Sequence, residues 1–176
     1  MALPTRGKGI PPDYDKALIW HQKAAEQGYA ESENEIGLMF EKGRGVAQDD
    51  IAAFAWFEKA AEQGYPAAQY RLGAMYQMGE GTDQDYDKAL TWQHAAAERG
   101  FMNAQYSLGV LYLHGDLIEP DYPQVAYWFE AAAQQGDGEA QRYLGYMYEH
   151  GYGVDQDSDL ARFWYEKAAE QGFPQE

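Results

Sequence analysis

Two histidines stand at equivalent places in the sequence and could together serve a metal ion. His114 and His150 are 36 residues apart. Because packed neighbouring helices lie about 8–10 Å apart, both imidazoles could approach one ion together with the carboxylate of Glu149. Protein zinc sites, however, take three or four such ligands. With only two imidazoles in reach, we expect these side chains to face solvent or a partner, and we predict no metal and no cofactor.

Aspartates at alternate positions imitate the start of a calcium-binding loop in residues 83–87 and 155–159. Such a loop needs glycine at its sixth position and glutamate at its twelfth. The sixth positions here hold Lys88 and Leu160. We therefore expect these aspartates to cap helices and to place negative charge in the first helical turns, where the helix dipole favours it.

Glycine pairs recur in three loops, residues 43–45, 79–81 and 151–153, and resemble part of a phosphate-binding loop. A dinucleotide loop, however, follows a strand and carries a third glycine near a helix start, whereas these pairs follow helical patterns. No grouping of serine, histidine and carboxylate stands out, and the absence of cysteine removes a thiol nucleophile. We predict no catalytic residues and no enzymatic activity.

The composition narrows the classes of partner. Twenty-nine acidic residues against 13 basic ones give a formal net charge of −16, and such a surface repels nucleic acid and anionic lipid headgroups. The sequence has no apolar run of membrane-spanning length and no apolar stretch of a secretory signal at its start. We predict no nucleic-acid partner and no direct membrane insertion. The compartment stays open between the bacterial cytoplasm and the periplasm or another exported location.

The elements that must position any binding side chain come from an internal repeat of 36 residues. The motif Ala-Ala-x-x-Gly recurs with this spacing, and all five tryptophans obey it. The two series are Gly28, Gly64, Gly100, Gly136 and Gly172, and Trp20, Trp56, Trp92, Trp128 and Trp164. Chance does not produce such phasing, so the fold is predicted to be a stack of equivalent units.

Each unit reads as two helices, a shorter helix A, as in residues 66–78, and a longer helix B, as in residues 49–63. Asp49 and its equivalents are predicted N-caps, and Gly64 and its equivalents are predicted left-handed C-caps. A glycine inside helix A, such as Gly37, costs about 1 kcal/mol relative to alanine. We therefore expect a close approach at that position, with the alanines of helix B as partners. The tryptophans are predicted to fill the core between repeats.

The residues that keep this phasing resemble the Sel-1-like repeat, a relative of the tetratricopeptide repeat. One unit carries the pattern at Leu72, Gly73, Tyr76, Gly79, Gly81, Asp85, Ala89, Trp92, Ala96, Ala97 and Gly100. The resemblance covers nearly the whole chain. It implies an all-α, right-handed superhelical solenoid of αα-hairpin repeats with about nine helices. It also implies a role as adaptor or regulator through contacts with other proteins.

We expect residues 1–176 to form a single repeat solenoid with a partial repeat at each end. The sequence begins at an A-to-B loop, so the first helix B, which carries Trp20, lacks its own helix A. Terminal repeats of solenoids normally need polar caps. We therefore expect either a fragment of a longer solenoid or self-association through the uncapped ends.

Positions of helix A that the repeat framework does not use form a second stripe along the helix, spaced three or four residues apart. In related repeats this stripe lines the concave side. Its members are Glu31, Asn34, Leu38, Glu41, Lys42, Ala67, Tyr70, Ala74, Gln77, Met78, Asn103, Tyr106, Val110, Leu113, His114, Glu139, Arg142, Tyr146, Glu149 and His150. We predict that ten of them, here called the binding stripe, contact a partner: Tyr70, Gln77, Met78, Asn103, Tyr106, Leu113, His114, Arg142, Tyr146 and His150.

The predicted function is an adaptor that binds a protein or peptide in this groove, since aromatic and arginine anchors are typical of protein-contact hot spots. A more specific form is a bacterial regulator, or an immunity or inhibitor protein, whose acidity complements a basic toxin or effector. Two alternatives stay open. The stripe could merely pack against the adjacent repeat, and the chain could be a structural spacer or oligomerisation segment of a larger envelope or signalling protein.

Overall fold

The computed structural model describes residues 13–114 and 120–175, and every regular element in these two stretches is an α-helix. The helices are α1 (Tyr14–Ala25), α2 (Ala30–Lys42), α3 (Asp50–Glu62), α4 (Pro66–Met78), α5 (Tyr86–Glu98), α6 (Met102–His114), α7 (Tyr122–Gln134), α8 (Gly138–His150) and α9 (Ser158–Glu170). Odd-numbered helices correspond to helix B of the repeat, and even-numbered helices correspond to helix A. The A-to-B loop expected at the start of the sequence, in residues 1–12, lies outside the described residues.

Each odd-numbered helix begins after an aspartate that accepts a hydrogen bond from the backbone of its first turn. The Asp49 carboxylate accepts from the Ala52 N–H at 3.0 Å, and the Asp85 carboxylate accepts from the Lys88 N–H at 3.0 Å. The same bond recurs at Asp13, Asp121 and Asp157. The aspartate series is thus confirmed as N-caps, each of which stabilises its helix by about 1 kcal/mol.

The Ala-Ala-x-x-Gly motif ends each odd-numbered helix. After α3, the Tyr65 N–H donates to the Ala60 carbonyl at 3.1 Å, and the Gly64 N–H donates to the Ala61 carbonyl at 2.9 Å. These two bonds make a Schellman motif. Gly64 takes a φ of +82°, a left-handed conformation that glycine adopts without steric cost. The predicted left-handed glycine at the end of the helix is confirmed, one residue after the C-cap Gln63, and it turns the chain directly into α4.

Each helix packs mainly against the helices before and after it in the sequence, which is the contact pattern of a solenoid. The predicted all-α stack of helix hairpins is confirmed. Within it, α3 and α4 each have 13 residues, so the expectation of a longer helix B is wrong. The reason is that Asp49 and Gln63 lie outside α3 as its two caps.

None of the described helices has the length and apolarity that crossing a bilayer requires.

The centre of the core is formed by residues adjacent to the tryptophans rather than by the tryptophans themselves. Phe57 and Phe129 are fully buried, and each directly follows a tryptophan. Trp128 is 5 % exposed, whereas Trp20 is 67 % exposed, and Trp56, Trp92 and Trp164 are half-buried. The prediction that the tryptophans fill the core therefore holds fully for Trp128 and in part for Trp92 and Trp164, which pack against the core clusters. Leucine or isoleucine completes the core from the even-numbered helices at Ile36, Leu72, Leu108 and Leu144.

The glycines inside the even-numbered helices mark the expected close approach, but with a different partner. A Cβ on Gly37 would lie 2.6 Å from the Phe57 ring, and a Cβ on Gly109 would lie 2.5 Å from the Phe129 ring. A Cβ on Gly73 would instead lie 3.0 Å from the Gln93 side chain and 3.1 Å from the Ala89 carbonyl. The expectation that alanines of helix B approach these glycines therefore holds in part at Gly73 and is wrong at Gly37 and Gly109, where the missing Cβ makes room for an aromatic ring in a close-packed core.

Buried amides that we did not predict join successive repeats. The Nε2 groups of Gln105 and Gln141 each donate at 3.1 Å to a carbonyl at the end of the preceding odd-numbered helix. Their Oε1 atoms accept from Gln135 at 2.6 Å and from Gln171 at 2.8 Å. These bonds satisfy polar atoms that would otherwise be costly to bury. The signal was available in the sequence, since Gln69, Gln105 and Gln141 keep the 36-residue spacing.

Candidate partner-binding surface

The binding stripe lies on three successive even-numbered helices, and none of its ten residues is fully buried. Its exposed members are Met78, Asn103, His114, Tyr146 and His150, and its half-buried members are Tyr70, Gln77, Tyr106, Leu113 and Arg142. The large apolar side chains that reach furthest into solvent are Met78 on α4, which is 62 % exposed, and Tyr146 on α8, which is 47 % exposed.

Tyr106 is partly committed to the fold. Its hydroxyl donates to the Glu139 carboxylate of α8, and its ring packs against Phe129 with the centroids 5.8 Å apart. Burial, followed by the hydrogen bond to Glu139, raises the pKa of the Tyr106 hydroxyl. The hydroxyl therefore stays protonated and links α6 to α8.

The other half-buried members also make contacts within the chain. The Tyr70 ring lies 5.4 Å from the Phe101 ring, centroid to centroid. Leu113 packs on the core cluster around α7 and α8, and the Arg142 guanidinium lies 4.8 Å from the centroid of the Tyr143 ring. These side chains therefore support the fold as well as contributing to the surface of the stripe.

The first even-numbered helix, α2, differs from the other three. Asn34, which was expected to line the groove, is only 3 % exposed, so that expectation is wrong. Its short amide stays beneath its neighbours, whereas the longer Tyr70 in the equivalent place of α4 reaches the surface. Glu41 of α2 forms an ion pair with Arg71 of α4 at 2.9 Å. Intramolecular polar contacts thus occupy this end of the surface.

The opposite end opens into a cavity of about 380 Å³. Its walls are formed by Arg142, Tyr146, Glu149, His150, Tyr165 and Gln175. The Tyr165 hydroxyl donates to the Glu149 carboxylate at 2.7 Å, and Gln175 Nε2 donates to it at 3.3 Å. Burial, followed by the bond to Glu149, raises the pKa of the Tyr165 hydroxyl, which keeps it a donor. The Glu149 carboxylate is thereby fixed in the wall of the cavity.

The groups singled out for metal chemistry have other partners. Within the described residues, no three or more His, Cys, Asp or Glu side chains are grouped to hold a metal ion, and the absence of a metal stays a prediction. His150 Nδ1 lies 3.0 Å from the Tyr146 carbonyl, and His114 is exposed at the end of α6. Asp85, from one of the calcium-like segments, caps α5, and the hydrogen bond from the Lys88 N–H lowers its pKa.

The family follows from the match of the whole repeat pattern. The Sel1 repeat model matches residues 5–29, 30–65, 66–101, 103–137 and 138–173. The chain belongs to the Sel1 repeat family. Each complete Sel1 repeat here begins at an even-numbered helix and ends at the Schellman turn after the next odd-numbered helix, as in residues 30–65. The resemblance noted in the sequence is confirmed.

Two Sel1 repeat structures are similar over most of this chain. A Sel1 repeat protein from Oxalobacter formigenes is 42 % identical, with a TM-score of 0.88, over 93 % of this chain and 47 % of its own. The protein c5321, a protective antigen of uropathogenic Escherichia coli with an SLR fold, is 37 % identical, with a TM-score of 0.86, over 94 % of this chain and 36 % of its own. The chain therefore spans less than half the length of either protein.

More distant structures share the fold alone. The immunity protein Pa5087 from Pseudomonas aeruginosa is 18 % identical, with a TM-score of 0.52, over 92 % of this chain and 76 % of its own. No curated protein matches this chain. Sel1 repeat proteins typically mediate protein–protein interactions on a repeat scaffold that is generally non-catalytic.

Proposed function

We propose that this chain is an adaptor that holds a protein or peptide partner against the binding stripe of α4, α6 and α8. The observation that carries the proposal is the shared face, because three positions of the stripe recur on successive even-numbered helices, as at Tyr70, Tyr106 and Arg142, and all ten residues retain accessible surface. Stacked repeats turn such a face into one extended surface. A partner lying along it would contact three repeats at once.

The chemistry of the stripe supports a protein as the partner. Met78 and Tyr146 are large and exposed, and amides such as Asn103 lie along the same face. Protein interfaces are enriched in Tyr, Met and Arg, and a few such anchors carry most of the affinity. Methionine also adapts its shape to a partner at low cost. Met78 and Tyr146 are therefore the proposed principal anchors, with Tyr70, Tyr106, Leu113 and Arg142 as supporting contacts.

A capture experiment tests the adaptor proposal. The immobilised chain is incubated with lysate of the source organism, and the retained protein is compared between wild type and the double variant Met78→Ala, Tyr146→Ala. We expect the double variant to lose at least about tenfold in affinity for that protein, because each hot-spot anchor is worth about 1–2 kcal/mol or more. Both substituted residues are exposed, so far-UV circular dichroism and thermal midpoint should change little.

Tyr127 provides the matched control. It is 61 % exposed, but it lies on α7, an odd-numbered helix, outside the stripe. The variant Tyr127→Ala should retain the captured protein. Equal loss with Tyr127→Ala, or full capture by the double variant, would contradict the proposal.

The net charge of −16 supports a basic partner. An immunity or inhibitor protein that neutralises a basic toxin or effector is the specific form that we propose. Complementary charge accelerates association and makes it depend on salt. We expect the association rate with the captured protein to fall at least about tenfold between about 0.05 and about 0.5 M salt. A rate that does not change with salt would remove the basic partner and leave the adaptor in place.

Self-association, or a spacer role within a larger protein, is a second candidate function, supported by the apolar surface of α1. Ile19 and Trp20 of α1 are exposed, and α1 has no buried residue. Exposed apolar patches of this kind mark contact sites in soluble proteins. Sedimentation over about a hundredfold range of concentration should show a rise in mass that Trp20→Ala abolishes. A constant monomer mass would contradict this candidate.

A further inference from the structure

Four exposed rings lie in contact at the end of α8, three of them stacked and the fourth tilted. The Tyr122 and Tyr152 rings are stacked with centroids 5.0 Å apart and planes 18° apart, and the Tyr152 and His150 rings are stacked at 5.6 Å and 6°. Tyr146 extends the series, with its centroid 4.2 Å from that of His150. The three tyrosines are 37–47 % exposed, and His150 is exposed as well. We call these four residues the aromatic ladder.

Packed backbone holds the ladder in place. Tyr122 is the first residue of α7, and Tyr152 lies in the loop between α8 and α9. A Cβ on Gly153 would lie 2.1 Å from the Tyr122 carbonyl oxygen, so the loop can rest on the start of α7 only because residue 153 is glycine. Rings held in this way lose little conformational freedom when a partner binds.

The electrostatic surroundings of the ladder favour a cation. Residues 120–161 contain eight acidic residues and one basic residue, Arg142. The Glu149 carboxylate lies 4.0 Å from His150 Nδ1, beside the ladder. The faces of aromatic rings carry negative potential and attract ammonium and guanidinium groups. A positively charged side chain would therefore be attracted here by the rings and by the Glu149 carboxylate.

The equivalent position near the start of the solenoid holds a cation. Arg44 and Tyr14 correspond to Tyr152 and Tyr122 at the same repeat register. The Arg44 guanidinium lies 5.8 Å from the Tyr14 ring centroid, which is within the range of a cation–π contact. Beside Tyr14 the chain thus supplies its own arginine to this place, and beside Tyr122 it supplies a second ring.

We propose that the aromatic ladder binds an arginine side chain of the partner, with the guanidinium stacked on the rings and attracted by the Glu149 carboxylate. Arginine is preferred over lysine because its planar guanidinium is more weakly hydrated and stacks on aromatic faces. The inference rests on the proposed function, since Tyr146 and His150 belong to both surfaces. It adds the chemistry of the partner at one end of the binding stripe.

Titration of the full chain with short blocked peptides tests this inference. The probe has three arginines separated by glycines, and two matched peptides carry lysine or the neutral isostere citrulline in place of arginine. We expect the arginine peptide to bind most tightly, the citrulline peptide to bind at least about threefold more weakly, and the ladder rings to show the largest proton chemical-shift changes. Binding of the citrulline peptide with equal affinity would overturn the inference.

Variants that preserve charge locate the site. Tyr122→Leu and Tyr152→Leu should each weaken the arginine peptide about two- to fivefold, which is the range expected for one exposed cation–π contact. The control is Tyr86→Leu, because Tyr86 occupies the register of Tyr122 at the start of α5 and is 45 % exposed. Equal weakening by the control would overturn the inference. Should Tyr122→Leu lower the thermal midpoint, the loop variant Tyr152→Leu decides alone.

The outcome separates this inference from the adaptor proposal. Met78 lies on α4, away from the ladder, so Met78→Ala reports on the binding stripe alone. If the arginine peptide fails to discriminate while Met78→Ala still weakens the captured partner, the ladder inference is wrong and the adaptor stands. If the peptide binds as expected while Met78→Ala has no effect, the ladder inference holds and the extended stripe is wrong.

Discussion

The two halves of the solenoid place different chemistry on the same backbone. In the first half, cations lie on the chain's own rings and carboxylates: Lys59 Nζ is 4.2 Å from the Trp56 ring centroid, and Arg71 pairs with Glu41 at 2.9 Å. In the second half, residues 120–161 have one basic residue, Arg142, which lies on the Tyr143 ring, and exposed rings such as Tyr152 stack on one another. The repeat framework therefore fixes the fold in both halves, whereas the surface residues differ, so that partly exposed rings pack against cations of the chain in the first half and against further rings at the end of α8.

Substitution of the buried phenylalanines should lower the free energy of unfolding most, and it compares the cores of the two halves. Phe57→Ala and Phe129→Ala should each lower the free energy of unfolding by about 3–5 kcal/mol, because both rings are fully buried and their removal leaves cavities. Trp20→Ala should change it by less than about 0.5 kcal/mol, since Trp20 is exposed. Denaturant titration measures all three. A loss at Trp20 as large as that at Phe57 would show that the two positions do not differ in burial.

The core illustrates what the sequence could and could not predict. The Asp49 series was predictable as caps because capping depends on chemistry within one helical turn. The burial of Phe57 was not, because adjacent residues point about 100° apart around a helix, and the 36-residue spacing marks the tryptophans, whereas the next position holds residues as different as His21, Phe57 and Gln93. The size of tryptophan suggested the wrong series. The same uncertainty in rotation left Asn34 on the predicted groove although it is buried.

In the candidate surface, too, features set by spacing within a helix were predictable, whereas a contact between distant segments was not. The positions of Met78 and Tyr146 on one face were predictable from helical spacing. The stack of Tyr122 on Tyr152 was not, because it brings together the start of one helix and a loop of the next repeat. Its only trace in the sequence is the equivalent pair of Tyr14 and Arg44, and those residue types do not resemble a pair of stacked rings.

A smaller effect compares the hydrogen bond between α6 and α8 with the ion pair between α2 and α4. Tyr106→Phe should lower the free energy of unfolding by about 1–2 kcal/mol, because a half-buried hydrogen bond to the Glu139 carboxylate is lost. Arg71→Met should cost less than about 1 kcal/mol, since the pair with Glu41 is partly exposed. A larger loss from Arg71→Met than from Tyr106→Phe would mean that the ion pair of the first half stabilises the fold more than the hydrogen bond of the second half.

The contribution of Tyr106 to the free energy of unfolding should also depend on pH in the alkaline range. Burial and the bond to Glu139 raise the pKa of Tyr106 above its ordinary value of 10.0, so above pH 10 the unfolded chain loses this proton before the folded chain does. The folded state then binds more protons, and stability must fall as pH rises. Tyr106→Phe should make this fall less steep, and Tyr165 should keep part of it because its pKa is also raised. An unchanged slope would mean that Tyr106 ionises equally in both states.

The buried glutamines that join successive repeats suggest a stabilising substitution in the first half. Gln69 Oε1 is buried without a hydrogen-bond partner among the described residues, whereas Gln105 Oε1 accepts from Gln135 at 2.6 Å. The place equivalent to Gln135 holds Arg99. Arg99→Gln should supply the missing donor and raise the free energy of unfolding by about 0.5–1.5 kcal/mol. The control is Arg99→Ala, and an equal gain from it would mean that removal of the arginine, and not the new bond, is responsible.

A substitution at residue 152 should give the second half the contact between a cation and a ring that the first half has, and the expected change in peptide affinity is small. Tyr152→Arg gives the aromatic ladder the guanidinium that Arg44 supplies beside Tyr14, and it should place that group over Tyr122. The arginine peptide should then bind about two- to fivefold more weakly, because the site is filled from within the chain. Peptide titration measures the change.

Added positive charge alone would also weaken a cationic peptide, so the exchange needs a variant with the same charge. Gln124 is exposed in the first turn of α7, two residues after Tyr122, and Gln124→Arg adds one cation nearby without replacing a ring. A greater loss with Tyr152→Arg than with Gln124→Arg means that the register of residue 152 matters. Equal losses mean that the halves differ only in net charge, and the stacked rings then have no separate role in binding.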